Sequence, residues 1–325
     1  MTEVTARYFC EIKNDEDLYE LFHHPLWKEQ SRLILGAGSN MLVVEDFKGL
    51  VVHINTHGRE VIEETDEIIT IKVAAGELWH PLVMDMVRLG YWGIENLALI
   101  PGTVGAAPVQ NIGAYGVEAK DTICSVEVIN LHTQEKEILN NAQCEFAYRN
   151  SIFKRHPNKY LVTSVSFTLS KQPQPHLEYG AIQQRLHDSG ISNPTSEDIA
   201  KVVMGIRQSK LPDVGEIGMA GSFFKNPVIS QSHGERLKQE HPEIVMFPTG
   251  EGEVKISAGW LIEYLGYKGV QEGKVGTYQK HALVLVNYGE ATGSEVWTFA
   301  QKIINHVHQV FNITLEPEVL IIQNP

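Results

Sequence analysis

The sequence predicts an α+β protein of two or three domains. Its 325 residues exceed the length at which one hydrophobic core stops growing. Strand-like runs alternate with helical ones along most of the chain, with no internal repeat or low-complexity tract. Two stretches unusually lean in side-chain volume sit among them, at Gly36 to Asn40 and at Pro101 to Gly116.

Taken in order, the spacing predicts a helix from Asp15 to Trp27, then strands at Arg32 to Leu35 and Leu50 to Ile54. Residues Ile68 to Ala74 alternate as a strand toward the glycine of Ala75-Gly76-Glu77. From His80 to Leu89 the apolar residues Leu82, Met86 and Leu89 share one helical face, and Gly90 stops the helix as a C-terminal cap. Further strands are expected at Thr122 to Leu131 and Tyr160 to Leu169, followed by an exposed connection at Lys171-Gln172-Pro173-Gln174-Pro175. Helix returns from Ser196 to Ser209. The segment Lys210-Leu211-Pro212-Asp213 breaks it and marks the boundary before a third domain that runs to about Phe311. Ile313 to Ile322 reads as a closing strand.

The longer lean stretch devotes four glycines (Gly102, Gly105, Gly113 and Gly116) and several Ala and Pro residues to almost no side-chain volume. Glycine offers no packing surface and loses much conformational entropy, so such a run makes sense where bare N–H groups approach a bulky anion. The shorter stretch, Gly36-Ala37-Gly38-Ser39-Asn40, follows a short strand and offers small polar groups suited to a pyrophosphate. Two phosphate-type loops point to one dinucleotide. A Rossmann fingerprint is excluded, because Met41 stands where the third small residue belongs and Thr56 and His57 where the ribose-binding carboxylate is expected. On its residues alone, Gly36 to Asn40 is equally well an ordinary strand-exit turn.

The formal charge of −13 argues against non-specific binding to nucleic acid or anionic membrane, so any nucleotide site is a local basic pocket. Cys10, Cys124 and Cys144 lack metal spacing and are odd in number, which reads as reduced packing residues and no metal. The N-terminus has no apolar signal core and no stretch approaches the roughly 20 apolar residues of a membrane helix. A cytoplasmic protein, acting as a monomer, is expected.

Several segments together resemble the successive motifs of the UDP-N-acetylenolpyruvylglucosamine reductase family: Gly36 to Asn40, Pro101 to Gly116, Tyr148-Arg149-Asn150-Ser151-Ile152-Phe153-Lys154, Gly221-Ser222-Phe223-Phe224-Lys225-Asn226-Pro227, Ala258-Gly259-Trp260-Leu261-Ile262-Glu263, and Glu316-Pro317-Glu318-Val319. They occur in the family's order. The resemblance implies a two-subdomain FAD-binding fold of the vanillyl-alcohol oxidase type plus a separate α+β substrate-binding domain. It places the first subdomain at 1–55, rejoined by 312–325, the second at 56–210, and the substrate-binding domain at 211–311. The implied activity is reduction of UDP-N-acetylglucosamine enolpyruvate to UDP-N-acetylmuramate in peptidoglycan precursor synthesis, with FAD as cofactor and NADPH as co-substrate.

That chemistry explains which residue types are wanted. Hydride addition to the enolpyruvyl group leaves negative charge on the neighbouring carbon and its carboxylate, which a planar guanidinium binds with two parallel hydrogen bonds. The resemblance gives this role to Arg149, which by residue type alone is as readily a surface arginine in a turn. Ser222 is implied as the proton donor. A serine hydroxyl is a weak acid but stays protonated at neutral pH and can protonate a carbanion-like centre. A nucleophilic serine would need Gly-x-Ser-x-Gly, which the surroundings of Ser222 lack. Glu318 is the third implied catalytic residue, either orienting Arg149 or sharing a proton with the enolate. Where the family's next residue is an arginine, this chain has Leu320.

Cofactor contacts are implied at Gly36, Ala37, Gly38, Ser39 and Asn40, and at Pro101, Gly102, Thr103, Gly105, Ala106, Gln110, Asn111, Gly113, Ala114, Tyr115 and Gly116. Neither run contains His or Cys, so the FAD is expected to be non-covalent. Tyr148, Lys210, Lys225 and Asn226 are implied substrate contacts, and Tyr179 matches a tyrosine that closes over the UDP-sugar in the longer-chain branch of the family. His281 reads as structural or solvent-facing. A flavin oxidase or dehydrogenase of the same fold on another substrate is the alternative, and a nucleotide-binding regulator that has lost turnover is a third.

Overall fold

Residues Tyr160–Ser170 form the middle of a five-stranded antiparallel sheet, in the order Lys136–Asn140, Ile123–Asn130, Tyr160–Ser170, Ile68–Ala74 and Arg59–Glu64. The protein is described by a computed structural model covering residues 2–212, 217–250 and 252–324. Two compact units are formed, one from Ala6–Ser39 with Lys48–Ser209, the other from Met1–Thr5, Asn40–Phe47 and Lys210–Pro325.

In the first unit the sheet buries one face beneath the helix Trp79–Arg88, whose Trp79 ring lies 5.6 Å from Phe167 and whose Leu82, Val83 and Met86 are buried. Leu89 is 63 % exposed, because the helix closes at Arg88 and the chain swings away through Gly90 at φ 83°. The outer strand Arg59–Glu64 is wholly exposed and carries Arg59, Glu60, Glu63 and Glu64, charges that discourage further edge pairing. A smaller sheet orders Ala6–Ile12, Phe47–Ile54 and Arg32–Leu35, the last two parallel. The single helix expected from Asp15 to Trp27 is two, Asp15–His23 and Pro25–Glu29. Pro25 has no N–H to give and holds His24 extended, so the first helix ends there while the proline starts the second. Cys10, Cys124 and Cys144 are free, and burial pushes the Cys144 thiol up to about 12.

In the second unit a four-stranded sheet orders Gly218–Ser222, His281–Asn287, Val275–Tyr278 and Gln271–Glu272. A three-stranded sheet, Val228–Ser230, Glu253–Ile256 and Met246–Pro248, lies in the same unit. The helix Gly293–Phe311 starts at a reciprocal Thr292–Glu295 cap and buries Val296, Phe299, Ala300, Ile303 and Val307. Its first residue must be glycine, since a Cβ there would lie 1.9 Å from the Val43 carbonyl oxygen. Only Leu320–Ile322 of the expected closing strand is regular, paired in parallel with Met41–Val43. Asn312 leaves the helix left-handed at φ 52°, and residues 313–316 have no ladder partner before Pro317 bridges to Phe224. Among the described residues no helix is long and apolar enough to cross a membrane.

Candidate active site

The two lean runs meet in the first unit. A Cβ on Gly36 would lie 2.5 Å from Thr103 Oγ1, and one on Gly102, at φ 126°, would lie 3.2 Å from Ser39 Oγ. Small residues are therefore needed first for one run to pass against the other. The same holds at Gly105, whose Cβ would lie 2.6 Å from that of Ala75, and at Gly113, 3.0 Å from Arg149 Nη1.

The backbone donors divide accordingly. Gly105 and Ala106, expected to face a cofactor, donate to the carbonyls of Ala75 and Thr103 at 2.8 and 3.1 Å. Asn111 is fully buried, its amide donating to Ala147 O and Glu118 Oε2 and accepting from Lys120 N, so its side chain serves the fold. Among the described residues, the N–H groups of Ala37, Gly38, Ser39 and Gly102 have no protein acceptor. They lie along the seam of the two runs, beside left-handed residues at Gly38 and Gly102, the backbone form that makes anion-binding concavities. This donor set fits the diphosphate of FAD.

Arg149 stands at the tip of a tight turn closed by paired hydrogen bonds between Ala147 and Asn150, and it is left-handed at φ 50°. That conformation is costly for a non-glycine residue and persists where the surroundings over-determine it. Here Asn111 holds the Ala147 carbonyl, the buried Ser151 hydroxyl donates to Val109 O at 2.6 Å, and Lys154 donates to the Arg149 carbonyl at 3.2 Å. The guanidinium donates to Gly113 O at 2.6 Å and lies 5.2 Å from the Tyr148 ring centre. The turn is thus docked onto the longer lean run.

Tyr179 precedes the helix Gly180–Asp188, 44 % exposed, its ring edge-on to Tyr115 at 5.1 Å. Arg207 was not legible as a site residue. Among the described residues its buried Nε has no partner, and burial pushes its pKa down while Tyr115 opposes the shift. An unsatisfied guanidinium nitrogen is a group that a bound anion completes. Its position in the helix Ser196–Lys210 gave no sequence signal.

In the second unit Ser222 ends the strand Gly218–Ser222, after a register shift that begins beyond Met219 and with Gly221 at φ 76°. Such a bulge re-aims the side chain that follows it. The next residues pair with the chain's end. Glu318 N donates to Phe223 O at 2.8 Å, Phe224 bridges Pro317, and Lys225 N donates to Glu316 O at 2.9 Å. Phe223 and Phe224 anchor this pairing, both buried with rings 5.1 Å apart.

Three side chains expected at a ligand have protein partners here. Asn40 donates to the Glu318 carbonyl at 3.2 Å and accepts from Leu320 N at 3.0 Å through its own carbonyl, Asn226 Oδ1 accepts from Ala258 N at 2.9 Å, and Lys225 pairs with Glu316 at 2.9 Å. Leu320 is 54 % exposed on the short strand beside Met41. His281 accepts from Leu283 N, and burial, then Lys210 and Lys268, push its pKa down, as befits a neutral structural ring.

An α+β chain with unpaired backbone donors where two lean runs meet, an arginine docked on the longer run, and a serine followed by the residue that pairs with Glu318 is an FAD-dependent oxidoreductase. Residues 6–133 match the family described as FAD binding domain, and residues 213–322 match the C-terminal domain of UDP-N-acetylenolpyruvoylglucosamine reductase. The chain is 44 % identical to the UDP-N-acetylenolpyruvoylglucosamine reductase of Chromobacterium violaceum, over 98 % of this chain and 94 % of that protein. It is 43 % identical to the reductase of Flavobacterium johnsoniae, over 98 % and 95 %. The crystal structure of the reductase from Thermus caldophilus shares the fold, with a TM-score of 0.65 at 23 % identity over 97 % of this chain and 92 % of that one. The chain belongs to the UDP-N-acetylenolpyruvoylglucosamine reductase family.

Proposed function

We propose that the protein reduces UDP-N-acetylglucosamine enolpyruvate to UDP-N-acetylmuramate, using NADPH and non-covalently bound FAD, in peptidoglycan precursor synthesis. The observation that carries this is the docking of the Arg149 turn onto the longer lean run, where the guanidinium donates to the Gly113 carbonyl and Asn111 holds the Ala147 carbonyl of the turn. Family membership favours this over an oxidase of the same fold.

Ala37, Gly38, Ser39 and Gly102 hold the FAD diphosphate through their N–H groups. When bound there, FAD would relay hydride from NADPH to the terminal enolpyruvyl carbon. Arg149 binds the substrate carboxylate and gains as negative charge gathers on it, an interaction stronger in the transition state than in the ground state. Ser222 delivers a proton from its hydroxyl to the adjacent carbon, and Glu318 supports the enolate or Arg149. Lys210, Lys225, Asn226 and Tyr148 contact the UDP-sugar, and Tyr179 closes over it. The division at 1–55 with 312–325, 56–210 and 211–311 is retained as the functional one, supported by the pairing of Leu320–Ile322 with Met41–Val43. The enzyme acts as a cytoplasmic monomer, serving cell shape and division through the wall precursor.

The test is the visible spectrum of the anaerobic FAD-loaded protein, with NADPH and then UDP-N-acetylglucosamine enolpyruvate added. Bleaching followed by recovery on the second addition is expected. Bleaching that only oxygen reverses overturns the substrate assignment.

A further inference from the structure

Asn96 is fully buried in the first unit, on the short turn Glu95–Leu97. Its side-chain amide makes two donations, to the Tyr115 carbonyl at 2.9 Å and to the His176 carbonyl at 3.0 Å. Tyr115 belongs to the longer lean run and is left-handed at φ 51°, a conformation a tyrosine keeps only where its neighbours hold it. His176 lies in the irregular connection leading to Tyr179. Among the described residues, the Asn96 amide makes the only hydrogen bond from the rest of the unit to residues 173–178, and the half-buried Leu177 packs against the core. The Tyr179 ring in turn rests edge-on against Tyr115, at 5.1 Å and 88°.

We infer that Asn96 is a positioning residue for the Tyr179 lid, holding through one planar amide both the residue the lid rests on and the segment that carries it. The inference rests on the reading that Tyr179 closes over the UDP-sugar. One amide group has two N–H donors at fixed geometry, and here they span residues far apart in sequence. Removing it leaves two carbonyls without that donor and the 173–178 segment without its hydrogen bond, so Tyr179 loses its register on Tyr115.

The experiment uses the FAD-loaded enzyme with Asn96→Ala, Tyr179→Ala and both. Asn96→Ala is expected to raise KM for the enolpyruvyl UDP-sugar about tenfold while flavin bleaching at saturating NADPH stays within about twofold, and to add nothing to KM in the Tyr179→Ala background. Additive effects, or equal losses in both half-reactions, overturn the inference. A second measurement needs no substrate: nitration of the Tyr179 peptide by tetranitromethane, followed by mass spectrometry. Faster nitration in Asn96→Ala supports the coupling and an unchanged rate overturns it, whether or not the UDP-sugar proves to be the substrate. If Asn96→Ala does not fold, Asn96→Asp, which keeps the shape and at most one donation, carries the same measurements.

Discussion

The backbone N–H of Glu318 donates to the carbonyl of Phe223 at 2.8 Å, which sets Glu318 against the residue after Ser222. Residues far apart in sequence are joined by a short antiparallel pairing, continued by Phe224 with Pro317 and by Lys225 with Glu316. The aromatic pair beneath it makes the register rigid, because both rings are almost wholly buried.

That pairing makes the proton-donor assignment testable without disturbing the fold. Ser222→Ala removes a half-buried hydroxyl next to the bulge and leaves every backbone bond in place. Flavin bleaching by NADPH is expected to be unchanged, and recovery on adding the enolpyruvyl substrate to slow by about 10²–10⁴-fold. Stopped-flow absorbance of the two half-reactions measures both, and recovery at the wild-type rate removes Ser222 from the mechanism.

Arg149→Lys keeps the positive charge but loses the planar fork and the bond to Gly113 O. The recovery phase is expected to slow about 10²-fold or more, with FAD content and NADPH bleaching preserved. Equal activity of the lysine variant would show that charge alone suffices there.

Periodicity located several elements of the first unit, since Ile68–Ala74, Arg32–Leu35 and Ser196–Lys210 each follow their own local pattern, whereas the strands and helices between 218 and 311 were not read from the sequence. The split at Pro25 was readable in principle from the missing N–H, whereas the irregular path of 313–316 depends on pairing with Phe224 and could not be read locally. For the site, sequence marked the lean runs but not their division of labour. Leanness has the same appearance whether a ligand or Thr103 and Ala75 stand opposite, so the close approaches at Gly36 and Gly105 were hidden. Arg207 and Asn96 gave no motif because their significance lies in burial and partners.

The meeting of the two runs predicts a compensating pair of substitutions. Gly36→Ala places a methyl 2.5 Å from Thr103 Oγ1, and the buried Thr103 has little room to yield. Weaker FAD retention and a stability loss of about 1–3 kcal/mol are expected. Thr103→Ala removes the clashing oxygen, so Gly36→Ala with Thr103→Ala should recover FAD binding in a titration of the apoprotein. Additive losses in the double variant would mean that the two runs do not constrain each other.

The last prediction concerns pH and follows from His80, at the start of the helix Trp79–Arg88. Its Nδ1 accepts the N–H of Leu99 at 3.0 Å, and Leu99 is left-handed at φ 61°, two residues before the longer lean run. Burial first, then the charges of Arg207 and Arg88, push the His80 pKa below its ordinary value. An unfolded chain takes up the proton near pH 6.5, while the folded chain resists until a lower pH, so in that window the unfolded state binds more protons. The stabilisation is therefore complete above about pH 6.5 and is lost as the pH falls through the depressed folded value. Protonation also removes the acceptor for Leu99, loosening the approach to the run that holds the cofactor. His281 is pushed down in the same direction, so His80 accounts for only part of the acid sensitivity. His80→Gln supplies an acceptor that does not titrate, and its melting temperature should fall less than that of the wild type between pH 7 and pH 5. Parallel melting curves across that range would show that His80 does not carry the acid response.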